Sequence, residues 1–224
     1  MVSKIKILHR EGWTFEDRTD AARQLAHALI SFQGKETVML GIPRGGVIIA
    51  SEIAKVLQAD MDIVLCRKIG APGYPEFAVG AVNEHGGLVI NESALSIIEA
   101  NPEYIDQIKK EELDEINRRK KVFRSVFSKK NVSGKIVIIT DDGVATGTTM
   151  QAAIWAIKEE GPQQIILALP VGPEETIKRL AKEVNETVVL CVPSGFQAVG
   201  QYYLDFHQLT DEDVKKTLMQ FKKT

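Results

Sequence analysis

Apolar residues along this chain switch repeatedly between two spacings, and the switching predicts alternating helices and strands. Ala22, Leu25, Ala26, Leu29 and Phe32 recur at helical intervals behind the capping residues Asp17 and Thr19, so a first helix is expected over about 18–32. Runs rich in leucine or β-branched residues then predict strands at 37–42 and 61–66, with a helix at 46–57 between them. The rhythm returns later, with strands near 135–140, 164–171 and 187–192 and helices near 147–160 and 174–184. Strands separated by helix-length crossovers pair in parallel. The expected fold class is α/β, an open and mainly parallel sheet with helices on both faces.

Segments of a different character lie between the two series. The stretch GAPGYPEFAVG at 70–80 concentrates glycine and proline, which predicts a mobile excursion in place of a packed element. A hairpin follows, with arms at 77–82 and 88–91 and a turn through 83–87. Asn101 before Pro102 is a good helix start, and the helix is expected to reach about 128. Ile105, Ile108, Leu113, Ile116, Phe123 and Phe127 form its apolar stripe, leaving Glu112, Arg118, Arg119 and neighbouring lysines on a solvated face or a subunit contact. A helical insertion over about 92–128 is therefore expected, and it would suit a homodimer contact. The tail from 193 carries Phe196, Tyr202, Tyr203 and Phe206 and ends in a short polar helix near Asp211. With no repeat, low-complexity stretch or linker, residues 1–224 read as one domain.

Composition narrows the function classes. A chain of 224 residues that is 44% hydrophobic can build a sizeable core. Its net charge of −2, without an arginine stripe interleaved with aromatics, argues against a nucleic-acid partner. No apolar run approaches membrane-spanning length and the start has no cleavage-site pattern, so a cytoplasmic protein without a membrane partner is expected. Cys66 and Cys191 each close an apolar run and read as buried thiols. His9, His27, His85 and His207 have no ligand spacing, which leaves a structural zinc site without support.

The chemistry concentrates in IVIITDDGVATGTTM, residues 136–150: an apolar strand, two carboxylates, a turn rich in glycine and threonine, then a helix. Ligands of open α/β sheets sit beyond the carboxyl ends of the strands, and a helix start there offers unpaired amides to an anion. Gly143 and Gly147 permit close backbone approach, Val144 and Ala145 complete the turn, and the hydroxyls of Thr146, Thr148 and Thr149 can donate to phosphate oxygens. Asp141 and Asp142 accept only, when ionised, and so suit the vicinal hydroxyls of a sugar. No lysine follows the glycines as a nucleoside-triphosphate loop requires. A receiver-type acidic cluster and a purely structural capped turn remain as alternatives.

Residues 137–149 closely resemble the phosphoribosyl-pyrophosphate signature of type I phosphoribosyltransferases, with Gly143 and Thr148 as small departures from it. GIPRGGV at 41–47, a RKIGAPG segment and a C-terminal FQAVGQYY stretch extend the resemblance, toward a less characterised branch whose acceptor the residues do not name. The resemblance implies transfer of ribose 5-phosphate from 5-phosphoribosyl-1-pyrophosphate (PRPP) to a nitrogenous base or related acceptor. Mg²⁺ is the implied cofactor. Asp141 and Asp142 would be the catalytic pair, touching the metal directly or through water, and Gly143, Val144, Ala145, Thr146, Gly147, Thr148 and Thr149 would bind the 5′-phosphate. Arg44, Gly45, Gly46 and Lys68, the last preferred over Arg67, would hold pyrophosphate, with a non-proline cis peptide expected between Pro43 and Arg44. Gly70, Pro72 and Gly73 would belong to a flexible loop closing over the site. A hood from the termini would recognise the acceptor, with Phe196 and Tyr202 as its candidates and Trp13 and Phe15 on the N-terminal arm. A non-catalytic sensor of PRPP or nucleotide, and a pyrophosphokinase-like synthesis of the sugar, are the competing readings.

Overall fold

The computed structural model describes residues 4–11, 13–91 and 102–223. Six strands form one parallel sheet in the order β1 (Lys4–His9), β9 (Glu186–Cys191), β8 (Gln164–Val171), β7 (Ile136–Thr140), β2 (Thr37–Gly41) and β3 (Asp60–Ile63). The N-terminal arm is thus an edge strand, in register with β9 from Lys4 opposite Glu186 to His9 opposite Cys191. Its pattern of alternating lysine and isoleucine fits an edge, where one side of the strand meets solvent.

Alternate residues of the inner strands feed two cores. Met39, Ile138 and Ile166 face one side, where α1 (Arg18–Ala28), α2 (Gly45–Leu57) and α6 (Asp211–Lys223) pack. Val38, Leu40, Val137, Ile139 and Leu167 face the other, against α4 (Thr148–Lys158) and α5 (Glu174–Ala181). Strands buried on both faces read as continuous apolar runs, which is why β2, β7, β8 and β9 stand out in the sequence. Each fully buried leucine or isoleucine contributes about 1.5–3 kcal/mol.

Three expected elements take a different form. The first helix stops at Ala28 and a 3₁₀ turn covers Ile30–Phe32. The run expected as a strand at 61–66 divides: β3 ends at Ile63, and Cys66 begins β4 (Cys66–Ala71) in a second sheet. That sheet joins β4, β5 (Tyr74–Asn83) and β6 (Leu88–Ile90) antiparallel, so the glycine- and proline-rich stretch at 70–80 is largely paired strand. Ala78 and Ala81 pack on Ala152 and Trp155 of α4, and small side chains here let strand and helix approach closely.

The insertion helix, α3 (Pro102–Arg124), ends short of 128, and its expected cap Asn101 lies outside the described residues. Its last residue anchors it. The Arg124 guanidinium reaches Asp62 of β3 at 2.5 Å and Glu84 of the β5–β6 turn at 3.0 Å, and all three side chains are nearly sequestered from water. Removing one partner from a buried group of charges costs about 3–5 kcal/mol, so α3 is held firmly against both sheets.

Candidate active site

The site forms where the strand order reverses. From β2 the chain steps outward to β3; it then returns to β7 on the other side of β2 and proceeds outward through β8 and β9. Loops leaving β2 and β7 diverge at this point and open a crevice at the carboxyl ends of the strands. Gly41 and Thr140 end the two strands opposite one another, and the Ile42 amide donates to the Thr140 carbonyl at 3.0 Å.

Absence of side chains at Gly45 and Gly46 sets the geometry. A Cβ at Gly45 would lie 1.9 Å from Asp142 Oδ2, and one at Gly46 would lie 2.6 Å from the Thr140 carbonyl oxygen. The first turn of α2 therefore seats directly against the acidic pair. The Pro43–Arg44 peptide is cis, as the family resemblance implies. Arg44 lines the resulting cleft of about 590 Å³ and has no hydrogen-bond or ion-pair partner among the described residues.

The β7–α4 loop supplies the opposite wall. Gly147 adopts φ 72°, a conformation that costs glycine little, and caps α4 so that Thr148 and Thr149 fall in its first turn. Thr146 and Thr148 hydroxyls lie 3.2 Å apart, and Lys68 Nζ of β4 reaches Thr148 Oγ1 at 3.5 Å. From α5, Thr176 Oγ1 donates to the Ala145 carbonyl at 2.9 Å and Arg179 donates to the Thr146 carbonyl. The backbone carbonyls of the loop are thus held from behind.

Asp141 Oδ1 accepts the Asp142 amide at 2.9 Å. Burial, and then the neighbouring Asp142 carboxylate, push Asp141 well above the ordinary carboxylate range. Burial also raises Asp142, although the Arg18 guanidinium opposes the rise. Arg18 Nε donates to Asp142 Oδ2 at 2.8 Å, its Nη1 donates to the His207 carbonyl at 3.1 Å, and its guanidinium carbon lies 4.0 Å from the centre of the Phe206 ring. Tyr203 OH donates to the Asp142 carbonyl at 2.6 Å, and burial raises that phenol well above its usual value, keeping it protonated.

The model of the phosphoribosyl transferase domain matches residues 15–207 of this sequence. The chain belongs to the phosphoribosyl transferase domain family. Within the family, two Mycobacterium tuberculosis proteins of strains CDC 1551 and H37Rv, each carrying the name putative phosphoribosyl transferase, are 41% identical over 200 residues. The match covers 89% of this chain and 45% of each of theirs, so the chain spans less than half the length of these curated relatives. The crystal structure of TT1426 from Thermus thermophilus is 44% identical with a TM-score of 0.87, over 93% of this chain and 99% of that one.

For a phosphoribosyl transferase domain, the positions of the residues expected from sequence divide sharply. Arg44, Gly45, Lys68, Asp141, Asp142 and Thr149 line one cleft. Gly46, Gly143 to Thr146, Gly147 and Thr148 belong to the loops and helix starts that frame it. Gly70 lies in β4, and Pro72 and Gly73 form the tight β4–β5 turn. Phe196 and Tyr202 depart from expectation. They stack on each other at 5.7 Å, and Phe196 borders a second depression with Arg10, Glu174 and Pro193, away from the cleft. Trp13 stacks on His9 at 3.8 Å, and Phe15 is fully buried. Cys66 is another correction, being half-buried on the cleft wall, with loss of hydration pushing its thiol up to about 12.

Other residues reach the cleft without having been expected there. Arg18, Phe206 and His207 come from the two ends of the chain, while Glu112, Ile116 and Arg119 come from α3. The latter three occur at i, i+4 and i+7, one face of a helix, and that spacing could have marked them as a group. Arg18 has no comparable signal, since an arginine in the first turn of a helix is ordinary at a surface.

Proposed function

We propose that this chain binds PRPP with Mg²⁺ and transfers ribose 5-phosphate to a nitrogenous base or related acceptor, releasing pyrophosphate. One observation carries the reading: the acidic pair and the hydroxyl-bearing start of α4 lie on one loop, and Arg44, unpaired among the described residues, lies on the loop facing it across the strand-order switch. A diol-binding group between two anion-binding groups matches a pentose bearing phosphate at one end and pyrophosphate at the other. The amides and hydroxyls of 143–149 take the 5′-phosphate, Asp141 and Asp142 the ribose hydroxyls, and Arg44, the start of α2 and Lys68 the pyrophosphate.

During reaction the bond from the anomeric carbon to the pyrophosphate oxygen breaks and its electron pair leaves with pyrophosphate. The acceptor nitrogen supplies the pair for the new bond, and where that nitrogen carries a proton, the proton is lost to water or to the departing pyrophosphate. Asp142, whose ionised form the Arg18 guanidinium favours, places negative potential beside the cationic carbon, with Asp141 alongside to hold the ribose, and a fixed charge of this kind is worth roughly 3 kcal/mol of barrier. Two adjacent carboxylates suit Mg²⁺, which takes hard oxygen ligands and retains water. Among the described residues no cluster of three or more His, Cys, Asp or Glu side chains forms a complete cage, so substrate oxygens and water would fill the remaining positions. When bound, Mg²⁺ supplies positive charge to the leaving group. The β4–β5 hairpin, turning at Pro72–Gly73, closes over the sugar and excludes water.

The test is pyrophosphate release from PRPP and Mg²⁺ with a panel of purines, pyrimidines and related amines, alongside calorimetric PRPP binding. Release with one acceptor class is expected, and Asp142→Asn should weaken PRPP binding at least about tenfold. Tight PRPP binding without release on any acceptor would replace the transferase with the sensor.

A further inference from the structure

We propose that the acceptor bears an anionic group, a carboxylate or phosphate, recognised by Arg119 of α3 together with Arg67 of β4. This rests on the transferase reading and names its acceptor class. The argument begins with rings. Planar neutral bases are commonly held by stacking on an aromatic face, and the rings among the residues lining the cleft are the Phe206 phenyl and the His207 imidazole, the latter 3.1 Å from the Asp205 carboxylate. The Phe206 ring is already engaged, with the Arg18 guanidinium 4.0 Å from its centre and the Tyr203 ring stacked at 5.0 Å. Phe196 and Tyr202 are spent on each other.

Charge is what the cleft offers in place of a ring. Arg18 is matched by Asp142. Arg44 and Lys68 are assigned to pyrophosphate above, and Lys68 Nζ also lies 3.5 Å from Thr148 Oγ1 of the loop assigned to the 5′-phosphate. That leaves Arg67 and Arg119, both lining the cleft and each tied to a carboxylate through Nε alone: Arg67 to Glu112 at 2.5 Å and Arg119 to Glu115 at 2.8 Å. Their terminal Nη1 and Nη2 groups make no hydrogen bond within the described residues. A guanidinium held by Nε keeps a two-nitrogen edge that matches a carboxylate or phosphate in bidentate fashion. The carboxylates orient these side chains, and the Arg124 anchor fixes the helix that carries Arg119. A neutral ligand placed here would separate these donors from water without replacing their hydrogen bonds, which selects against it.

Matched acid and neutral probes test the proposal: nicotinate against nicotinamide, and orotate against uracil. Binding to the PRPP- and Mg²⁺-loaded protein is measured by rapid-mixing fluorescence, and pyrophosphate release separately, for wild type, Arg119→Gln, Arg119→Lys and Tyr74→Ala. The wild type should favour an acid over its neutral partner by about tenfold or more. Arg119→Gln should remove most of that preference through KM, Arg119→Lys should restore part of it, and PRPP affinity should stay within about twofold, since Arg119 lies outside the sugar-phosphate loops. Preference for the neutral probes, or binding of neither member of a pair, overturns the proposal. So does an Arg119→Gln loss shared equally by PRPP, which would assign the residue to pyrophosphate. Loss of acceptor binding in Tyr74→Ala, with acid preference intact in Arg119→Gln, would move recognition to the exposed ring at the hairpin tip. Acid binding without pyrophosphate release keeps the anion site and removes the transferase; release on neutral bases alone does the reverse.

Discussion

The two ends of the cleft are built on different principles. The end proposed to hold the sugar phosphate consists of two loops leaving adjacent strands, made of backbone amides, glycines and side chains within a few residues of one another. The other end is assembled from side chains on α1, α3, β4 and the C-terminal tail, drawn from positions between Arg18 and Leu209. The first kind of site is fixed as soon as the sheet forms. The second exists only once remote elements have docked, and it can change its chemistry through single side chains without disturbing the first.

The sharpest way to break this contrast is at Gly45. An added Cβ would collide with the Asp142 carboxyl group, with Cγ at 2.4 Å and Oδ2 at 1.9 Å, and the carboxylate would have to leave its position beside α2. Gly45→Ala should therefore lower PRPP affinity by about 100-fold, equivalent to roughly 3 kcal/mol, while overpacking costs the fold about 1–3 kcal/mol. Calorimetry and urea unfolding measure the two quantities. Unchanged PRPP affinity would mean that the seating of α2 against the acidic pair is incidental.

Arg18 connects the two ends, and its effect should depend on pH. The guanidinium holds down an Asp142 carboxyl that burial pushes up, with Asp141, Asp17, Asp205, His207 and Tyr203 as the other titratable groups nearby. In Arg18→Gln the Asp142 carboxyl rises further, and in its protonated form it can no longer accept from both ribose hydroxyls. PRPP affinity should fall about tenfold or more at the acidic end of the range and recover as pH rises. Stability should move in the opposite direction. A carboxyl whose folded value exceeds its unfolded one stabilises the fold below about pH 4, and that contribution is lost as pH rises through the folded value. The loss should be larger and extend to higher pH in Arg18→Gln than in the wild type. PRPP titrations and denaturant unfolding between pH 4 and 9 report both signs, and a loss of affinity independent of pH would assign Arg18 to packing alone.

The same contrast explains what was legible in the sequence. The 136–150 segment carries its whole arrangement in contiguous residues, so strand, acidic pair, loop and helix start could be read in order. The alternation of inner strands and helices was legible because burial on both sheet faces leaves unbroken apolar runs. The edge strand β1 was hidden, since its lysines match exposed strand and arm equally well. The glycines and prolines at 70–80 suggested an open loop because sequence does not reveal that β4 and β5 can pair and pack small alanines on α4. Arg119 looked like one charge among many on a solvated helix; its place beside the cleft depends on the distant Arg124, Asp62 and Glu84 cluster.

The smallest expected effect is the most pointed test of the distinction, because it concerns residues that sequence placed in the acceptor site. Phe196 and Tyr202 stack with an interplanar angle of 12° in the C-terminal segment, and Phe196 faces the depression bordered by Arg10 and Glu174. Removing the Phe196 ring deletes a partly exposed aromatic contact worth about 0.5–1.5 kcal/mol beyond area, so Phe196→Ala should lower stability modestly. Acceptor KM and the preference for acidic over neutral probes should remain within about twofold of wild type, whereas Arg119→Gln changes both. A large rise in acceptor KM in Phe196→Ala, with unfolding nearly unaltered, would show that the terminal aromatics rearrange onto the cleft during turnover. Acceptor recognition would then belong to a mobile hood, and the division between a preformed anion edge on α3 and remote packing in the tail would have to be abandoned.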